Sequence, residues 1–409
     1  MRTNLMRAVA VMILAAWCAG CGDGSGDGGG SGIASHDLGG LAGMPFFVAV
    51  TGGGTTGSYA IMGPGIVYTN LTAINTTDIG VTAHGNAVFI FGRYKQDWLA
   101  RFDLDDTRDP VYQYSTKALT ETSMNPRAVA IVDNDTGYVF RYQSDISWII
   151  DPSPADEAGF KRDEIDLSAY ATGSAPAYPA NPVKALVDGT VMYVILERTN
   201  NWTYDVPAVL LTFNISIPGT PAITDAHDLI VRSPNQMVKL GDKLYIAGWG
   251  ITSFSKGGHT PLGGIEEVDL SGGAGAYIST LRVDDDDPLS TNHDRMGNDY
   301  RHGGYTADVA VVSATHGFVY IAEWNHPAIY KIHPFNPSTG VVDTGTAILN
   351  GVNLSRIAIG PDGLLYCAAS AWYGLGADAG VYLVSPVTLQ VLGPIRMGLE
   401  PIDFTFNKP

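Results

Sequence analysis

Seven short apolar segments, each with an aromatic residue in its second position, recur along the chain at intervals of 42 to 75 residues. In every segment the aromatic residue is followed by Val, Ile or Cys. The segments are FFVAV (46–50), VFIF (88–91), GYVF (137–140), MYVI (192–195), LYIA (244–247), VYIA (319–322) and LYCA (365–368). A repeat of this period predicts an architecture assembled from copies of one supersecondary unit.

Each unit reads as four short strands. Six of the aromatic segments follow a second apolar segment that ends in a turn, as in NPRAVAIVDNDTG (125–137) and LSRIAIGPDG (354–363). Two further strand-like segments come after the aromatic one, as in WLARFDLD (98–105) and PVYQYS (110–115). Apolar runs bounded by Gly, Asp and Asn are typical of strands joined by hairpins. Four antiparallel strands per unit of about 40 to 50 residues predict a blade of a β-propeller.

The two ends of the repeat are complementary. The first unit lacks its leading strand, whereas EPIDFTF (400–406) matches a leading strand and has no unit of its own. A C-terminal strand that joins the N-terminal blade closes the ring and removes two open sheet edges. We therefore predict an all-β, seven-bladed propeller of four-stranded antiparallel blades over residues 44–409.

Two segments carry a family resemblance. FVYIAEWNHPAIYKI (318–332) and RIAIGPDGLLYCA (356–368) resemble the YVTN/NHL/lactonase-like seven-bladed propellers of exported bacterial proteins. The resemblance extends over residues 44–406 and implies the same fold. Propellers of this kind include hydrolases, oxidoreductases and binding modules, so the resemblance by itself does not select an activity.

The N-terminus indicates export. Residues 1–20 combine a short basic start with an apolar run that is too short for a stable membrane span, which is typical of a secretory signal. Cys18-Ala19-Gly20-Cys21 resembles the lipobox of bacterial lipoproteins, which implies acylation at Cys21. A Gly/Ser-rich tether within residues 21–43 would hold the propeller on the order of 18 Å from a lipid surface. Gly22 after the cysteine implies an outer-membrane location in the cell envelope, and an ordinary signal peptide is the alternative.

Composition excludes several functions. The formal net charge of −17 opposes binding to phosphate backbones, so we expect no nucleic-acid partner. With Cys18 removed and Cys21 acylated, only Cys367 remains, which leaves no intramolecular disulfide. Cys367 occupies the Val/Ile place of its segment and is expected to be a buried core thiol. No GxSxG or P-loop motif supports a serine hydrolase or a nucleotide site.

One face of the ring is expected to carry function. Long connections cluster there, at 198–207, 249–263 and 371–380, together with the crossing at 284–305. Insertions on a single face are typical of a binding face. Arginines and tryptophans at the exits of the aromatic strands suit a carbohydrate, an aromatic ligand or a protein hot spot, although the tryptophans could equally cap the blade cores. These residues are Arg93, Arg141, Arg198, Trp202, Trp249, Trp324 and Trp372.

The polar crossing offers a second candidate site on the same face. His293, Asp294, Asp299 and His302 have donor atoms for a metal or an acid–base pair, but their spacing matches no known ligand motif. The carboxylates of residues 284–287 are hard oxygen ligands of the kind that calcium prefers. A solvated acidic loop is the simpler interpretation.

Two functions remain open at this point. The first is a lipid-anchored binding or scaffold module that needs no cofactor and presents its loop-rich face to a small ligand or an envelope protein. The second is a lactonase-like hydrolase or a metal-assisted oxidoreductase at the central channel.

Overall fold

A computed structural model describes residues 46–53, 56–63, 66–69, 71–76, 78–171, 179–199, 206–253, 258–259, 262–285, 304–322, 330–370 and 379–407. Within them the chain forms seven antiparallel sheets arranged as the blades of a ring. The strands are β1 (Phe46–Gly53), β2 (Thr56–Gly63), β3 (Ile66–Tyr68), β4 (Ile79–His84), β5 (Ala87–Gly92), β6 (Trp98–Asp103), β7 (Tyr112–Ser115), β8 (Pro126–Ile131), β9 (Gly137–Arg141), β10 (Ile146–Ile150), β11 (Lys161–Asp166), β12 (Pro182–Asp188), β13 (Val191–Leu196), β14 (Val209–Asn214), β15 (Ala222–Asp228), β16 (Pro234–Leu240), β17 (Lys243–Gly248), β18 (Ile251–Ser253), β19 (Gly258–His259), β20 (Gly264–Asp269), β21 (Ile278–Asp284), β22 (Tyr305–Ser313), β23 (His316–Ala322), β24 (Lys331–Phe335), β25 (Leu354–Ile359), β26 (Leu365–Ala369), β27 (Gly380–Val384), β28 (Val391–Ile395) and β29 (Glu400–Asn407).

The blade order confirms the predicted topology. From the channel outwards, the blades are β29-β1-β2-β3, β4-β5-β6-β7, β8-β9-β10-β11, β12-β13-β14-β15, β16-β17-β20-β21, β22-β23-β24 and β25-β26-β27-β28. In the sixth blade, bridges from β24 to Ile348 and Val342 mark the place of a fourth strand. The hairpin β18–β19 is an insertion in the fifth blade. A four-residue α-helix, α1 (Glu157–Phe160), and a 3-10 turn at Ser168–Tyr170 complete the secondary structure of the described residues.

The aromatic repeat forms the second strand of every blade because that strand is covered on both faces. In β5 (AVFIFG) all six residues are buried, and in β13 (VMYVIL) five of six are buried. The outermost strand β11 (KRDEID) is exposed at every position except Ile165. A strand covered on both faces requires a continuous apolar run, whereas a strand at the rim tolerates charge.

The hydrophobic core is divided among the blade junctions. Each of the seven junctions contains one cluster of buried apolar side chains. Cys367 lies fully buried in the cluster between the last two blades, which confirms its interpretation as a core thiol. The core therefore stabilises contacts between blades, so removing one strand affects both neighbouring junctions.

Ring closure occurs as predicted. The C-terminal strand β29 pairs antiparallel with β1 along the pairs from Phe46↔Asn407 to Gly52↔Glu400. Phe404 is fully buried and packs with Ala49 of the first blade and Tyr366 of the last. The two ends of the chain thus share one sheet.

A register irregularity recurs near the start of the innermost strands. It lies between Pro126 and Ala128 on β8, between Pro182 and Lys184 on β12, and between Leu354 and Arg356 on β25. The same step occurs on β16, β22 and β29. A β-bulge redirects the side chains that follow it. Here, Lys184, Arg356 and their counterparts line the central channel.

The predicted N-terminal anchor lies outside the described part of the chain. Cys21 and the predicted signal and tether of residues 1–43 lie outside the described residues. Within the described ranges, no helix has the length and apolarity to cross a bilayer.

Candidate functional site

The central channel contains a cavity of about 380 Å³ to which every blade contributes a polar side chain. In blade order these are Asp403, Arg93, Arg127, Lys184, Asn235 with Gln236, Asp308, and Arg356. Four cationic side chains therefore face two carboxylates, although the whole chain carries a net charge of −17. The charge of the channel wall is opposite to that of the protein as a whole.

Asp403 is held between two arginines. Arg356 Nη1 lies 2.7 Å from Asp403 Oδ1, and Arg93 Nη2 lies 3.0 Å from Asp403 Oδ2. Burial acts to raise the pKa of Asp403, but the two guanidinium groups and the ammonium group of Lys184 outweigh it, so the pKa is lowered. The Nε atoms of Arg93 and Arg356 are buried and have no hydrogen-bond partner in the described part of the chain. Asp403 thus neutralises only part of the local positive charge.

Burial moves the pKa values of Lys184 and Asp308 in the channel towards neutral pH. Asp308 is 5% exposed, and its carboxylate accepts hydrogen bonds from Val309 N at 2.7 Å and from Ile357 N at 2.8 Å. Burial nevertheless raises the pKa of Asp308 to about 6. Burial, reinforced by the positive charge of Arg356, lowers the pKa of Lys184 to about 7. Perturbed pairs of this kind in a cavity mark candidate functional sites.

A smaller cavity of about 170 Å³ opens beside the channel between the fifth, sixth and seventh blades. Trp249, Tyr305, Tyr320 and Tyr330 contribute to its wall. The rings of Trp249 and Tyr305 lie 5.5 Å apart at an angle of 40°. Asp308 and Trp249 line both cavities, so the charged part of the site and its aromatic part are contiguous.

Two of the residues predicted for the ligand face lie at this site. Arg93 directly follows β5, and Trp249 directly follows β17, and both line the channel. The same type of backbone hydrogen bond positions each residue. Arg93 N–H donates to the carbonyl oxygen of Asp78, and Trp249 N–H donates to that of Ser233, in each case just before the adjacent inner strand.

The other two arginines that were predicted for the ligand face and are described in the structure make structural contacts away from the channel. Arg141 is 1% exposed, forms an ion pair of 2.7 Å with Glu121, and places its guanidinium 4.6 Å from the Trp148 ring centroid. Arg198 donates to the carbonyl oxygen of Pro207 at 3.1 Å. Neither arginine lines the channel cavity.

The remaining predicted site residues lie outside the described residues. They are Trp202, Trp324, Trp372, His293, Asp294, Asp299 and His302. Among the side chains that the structure does describe, no group of three or more His, Cys, Asp or Glu residues could hold a metal ion.

Sequence reasoning missed five charged residues of the channel, namely Arg127, Lys184, Asp308, Arg356 and Asp403. The sequence nevertheless contains a pattern that marks these five residues. Each lies near the beginning of a leading strand, where a charge interrupts an otherwise apolar segment, as in NPVKALV (181–187) and EPIDFTF (400–406). An innermost strand of a propeller faces the channel, so an inward charge on it points to a site rather than to bulk solvent.

No protein-family model matches the chain, and no curated protein matches it. Similar solved structures include a candidate 6-phosphogluconolactonase of Bacteroides fragilis, at 11% identity and a TM-score of 0.56 over 90% of this chain and 98% of the other. A candidate 6-phosphogluconolactonase of Bacteroides uniformis is 14% identical, with a TM-score of 0.54 over 88% and 99% of the two chains. A protein of Lactobacillus plantarum is 12% identical, with a TM-score of 0.57 over 88% and 98%. At these identities the likeness shows the propeller fold alone.

Proposed function

We propose that the protein is a lipid-anchored, exported binding propeller whose central channel takes a small organic anion. The observation that carries this proposal is the excess of cationic side chains in the channel of a strongly acidic chain. Exposed charges more than about 8 Å apart are largely screened at physiological salt, so the outer acidic surface does not cancel the attraction of the channel wall.

The donors of the channel define the class of ligand. Guanidinium groups bind carboxylate and phosphate with paired, charge-assisted hydrogen bonds. The adjoining aromatic wall at Trp249 and Tyr305 suits a sugar ring or an aromatic ring. A cavity of about 380 Å³ is within the usual range for small-molecule sites. We therefore propose a ligand with one anionic group and one ring.

The lipid anchor and the outer-membrane location remain part of this proposal. Acylation at Cys21 would place the propeller in the cell envelope, where its loop-rich face could meet either a diffusing ligand or an envelope protein. The channel favours the small ligand, because polar side chains of all seven blades converge on one cavity.

Binding measurements by isothermal titration calorimetry test the proposal. We expect glucose 6-phosphate and benzoate to bind, and glucose not to bind. Arg356→Gln should weaken binding about 10- to 100-fold, the equivalent of a charged hydrogen bond of about 1.5–3 kcal/mol. Arg108→Gln is the matched control, because Arg108 is 47% exposed and lies away from the channel.

Ligands with and without a ring test the role of the aromatic wall separately. Trp249→Ala should weaken binding of glucose 6-phosphate or benzoate and leave binding of inorganic phosphate unchanged, because phosphate has no ring to stack. Equal affinity for glucose and glucose 6-phosphate in the wild type would contradict the proposed anion site.

Lactonase-like hydrolysis is a second candidate, favoured by Asp308. A carboxyl group whose pKa is raised to about 6 within the cavity can exchange protons near neutral pH. The similar structures named as candidate 6-phosphogluconolactonases suggest a phosphorylated lactone as the first substrate to assay. Hydrolysis by the wild type that is lost in Asp308→Asn would support catalysis, whereas binding without turnover would support the binding module.

A further inference from the structure

Lys184 differs from Lys161, Lys239 and Lys243 in forming no ion pair with a described residue. Lys161 pairs with Glu164 at 2.5 Å, Lys239 pairs with Asp188 at 2.8 Å, and Lys243 pairs with Glu267. Lys184 Nζ has neither a hydrogen bond nor an ion pair with any described residue, although it lies at the wall of a cavity. No hydrogen bond or ion pair with a described residue therefore competes with a ligand for this amine.

Lys184 and Arg356 lie at the same level of the channel. Both follow the register irregularity of their strands, and each pairs with the residue two places after the repeat aromatic, Ile195 and Ala368 respectively. They belong to the fourth and seventh blades, which are as far apart as two blades of a seven-membered ring can be. A small molecule bound across the channel can therefore contact both side chains.

Burial is the main cause that lowers the pKa of Lys184 and so favours its neutral form. Arg356 and Arg93 oppose its protonation, whereas Asp403 and Asp308 favour it, and burial acts together with the arginines. A lysine that is buried beside other cations is a recognised nucleophile towards carbonyl groups. Within the same cavity, Asp308 supplies a carboxyl group that can carry a proton.

We propose that Lys184 forms a reversible imine with the carbonyl carbon of a small oxo acid. The inference rests on the proposed anion site, because Arg356 and Arg93 would hold the carboxylate of that acid. The amine of Lys184 adds to the carbonyl carbon and gives a carbinolamine. In forming it, one of the two nitrogen protons passes to the carbonyl oxygen. The hydroxyl group then takes one more proton and leaves as water, nitrogen loses its second proton, and a carbon–nitrogen double bond remains. Asp308 delivers one proton to the departing hydroxyl group and recovers one from nitrogen, so no oxidant or reductant takes part.

Reductive trapping of the full chain tests this inference. The protein is incubated with glyoxylate and cyanoborohydride at neutral pH, and carboxymethylated lysines are quantified by peptide mass spectrometry. Lys184 should be modified at least about tenfold faster than Lys161, because one unit of pKa changes the share of free amine by about that factor. Lys184→Arg should remove this fast site, and Lys161→Arg should leave it intact.

Two further experiments test why Lys184 is modified preferentially. In urea the preference for Lys184 should vanish, because it depends on the folded channel. Neutral glycolaldehyde should modify Lys184 more slowly than glyoxylate, because it has no carboxylate for the arginines. A rate at Lys184 equal to that at Lys161, persistence of the preference in urea, or equal rates with the two aldehydes would each overturn the inference. If anions bind by calorimetry while Lys184 is not trapped, the imine is excluded and the proposed function stands.

Discussion

Asp403 and Arg356 lie 2.7 Å apart, and this contact joins the innermost strand of the first blade to that of the last. Arg93 of the second blade contacts the other oxygen of the same carboxylate at 3.0 Å. Ser355 reinforces the joint by donating to the carbonyl oxygen of Pro401 at 2.8 Å. The residue that fixes the closure of the ring therefore also sets the charge of the proposed ligand site.

Asp403→Asn should lower stability and raise anion affinity together. Removing the carboxylate leaves two largely buried guanidinium groups without their counter-ion, which typically costs about 3–5 kcal/mol. The same change increases the positive charge that a ligand meets. Urea denaturation and calorimetry measure the two effects, with Asp106→Asn, an exposed carboxylate paired with Arg108, as the control. A loss of anion affinity in a folded Asp403→Asn protein would contradict the proposed site.

Arg141→Ala should destabilise the protein and leave anion binding unchanged. The substitution removes the ion pair with Glu121, the hydrogen bond to Ile146 O at 2.8 Å and the stacking on Trp148. We expect a loss of about 2–4 kcal/mol in the free energy of unfolding. Arg108→Ala, at an exposed position, should change stability by no more than about 0.5 kcal/mol. Weaker anion binding by a folded Arg141→Ala protein would argue against a purely structural role.

Deleting residues 400–409 should abolish cooperative unfolding. The deletion removes the strand paired with β1 and the buried Phe404, and it exposes apolar side chains at the junction between the first and last blades. Differential scanning calorimetry should show a broadened transition or aggregation. Deleting only residues 408–409, beyond the end of β29, is the control. A sharp, unshifted transition in the longer deletion would mean that closure does not depend on this strand.

Lys184→Met should stabilise the protein most at or below neutral pH. Folding lowers the pKa of Lys184 from 10.5 to about 7, so between these pH values the unfolded chain binds more protons than the folded chain. The contribution of Lys184 to stability therefore rises with pH across this window, and it is least favourable near and below pH 7. We expect a gain of about 1–4 kcal/mol at pH 7 that shrinks towards pH 10.

Urea denaturation at several pH values measures this effect. Lys161→Met, at an exposed ion pair, is the matched control. A gain from Lys184→Met that stays constant between pH 7 and pH 10 would mean that folding does not perturb this amine.

Cys21→Ser should release the protein from the membrane fraction, if Cys21 is the acylated residue. Fractionation of the producing cells and incorporation of labelled fatty acid measure the anchor directly. The channel lies well away in sequence from Cys21, so calorimetric anion binding by the variant should equal that of the wild type. Retention in the membrane fraction, without fatty-acid incorporation into the wild type, would refute the lipoprotein proposal.

The loop candidate has a separate test. If the crossing at residues 284–305 is a solvated loop, replacing His293, Asp294, Asp299 and His302 together by Ala or Ser should change the free energy of unfolding by no more than about 0.5 kcal/mol. The same variant should bind anions with unchanged affinity. A melting temperature that rises with added calcium in the wild type, but not in this variant, would instead identify a metal site.

The seven-bladed fold was predictable from the sequence because local patterns specify it. A strand covered on both faces must be apolar along its whole length. The apolar segments around Tyr138, Tyr193 and Tyr245 were therefore recognisable as the second strands of their blades. The unmatched segment EPIDFTF at the C-terminus likewise indicated how the ring closes. The burial of a strand and its pairing in a hairpin depend on residues that are close in sequence. Their patterns can therefore be recognised in a single sequence.

The composition of the site was decided by the tertiary structure. Arg93, Lys184, Asp308, Arg356 and Asp403 come from five blades and are separated by up to 310 residues along the chain. Nothing in the neighbourhood of Arg141 or Arg93 distinguishes the buried structural arginine from the one in the channel. Strand twist and the recurring bulge determine which side chain faces the axis, and the low-dielectric channel then couples charges that the linear sequence keeps apart.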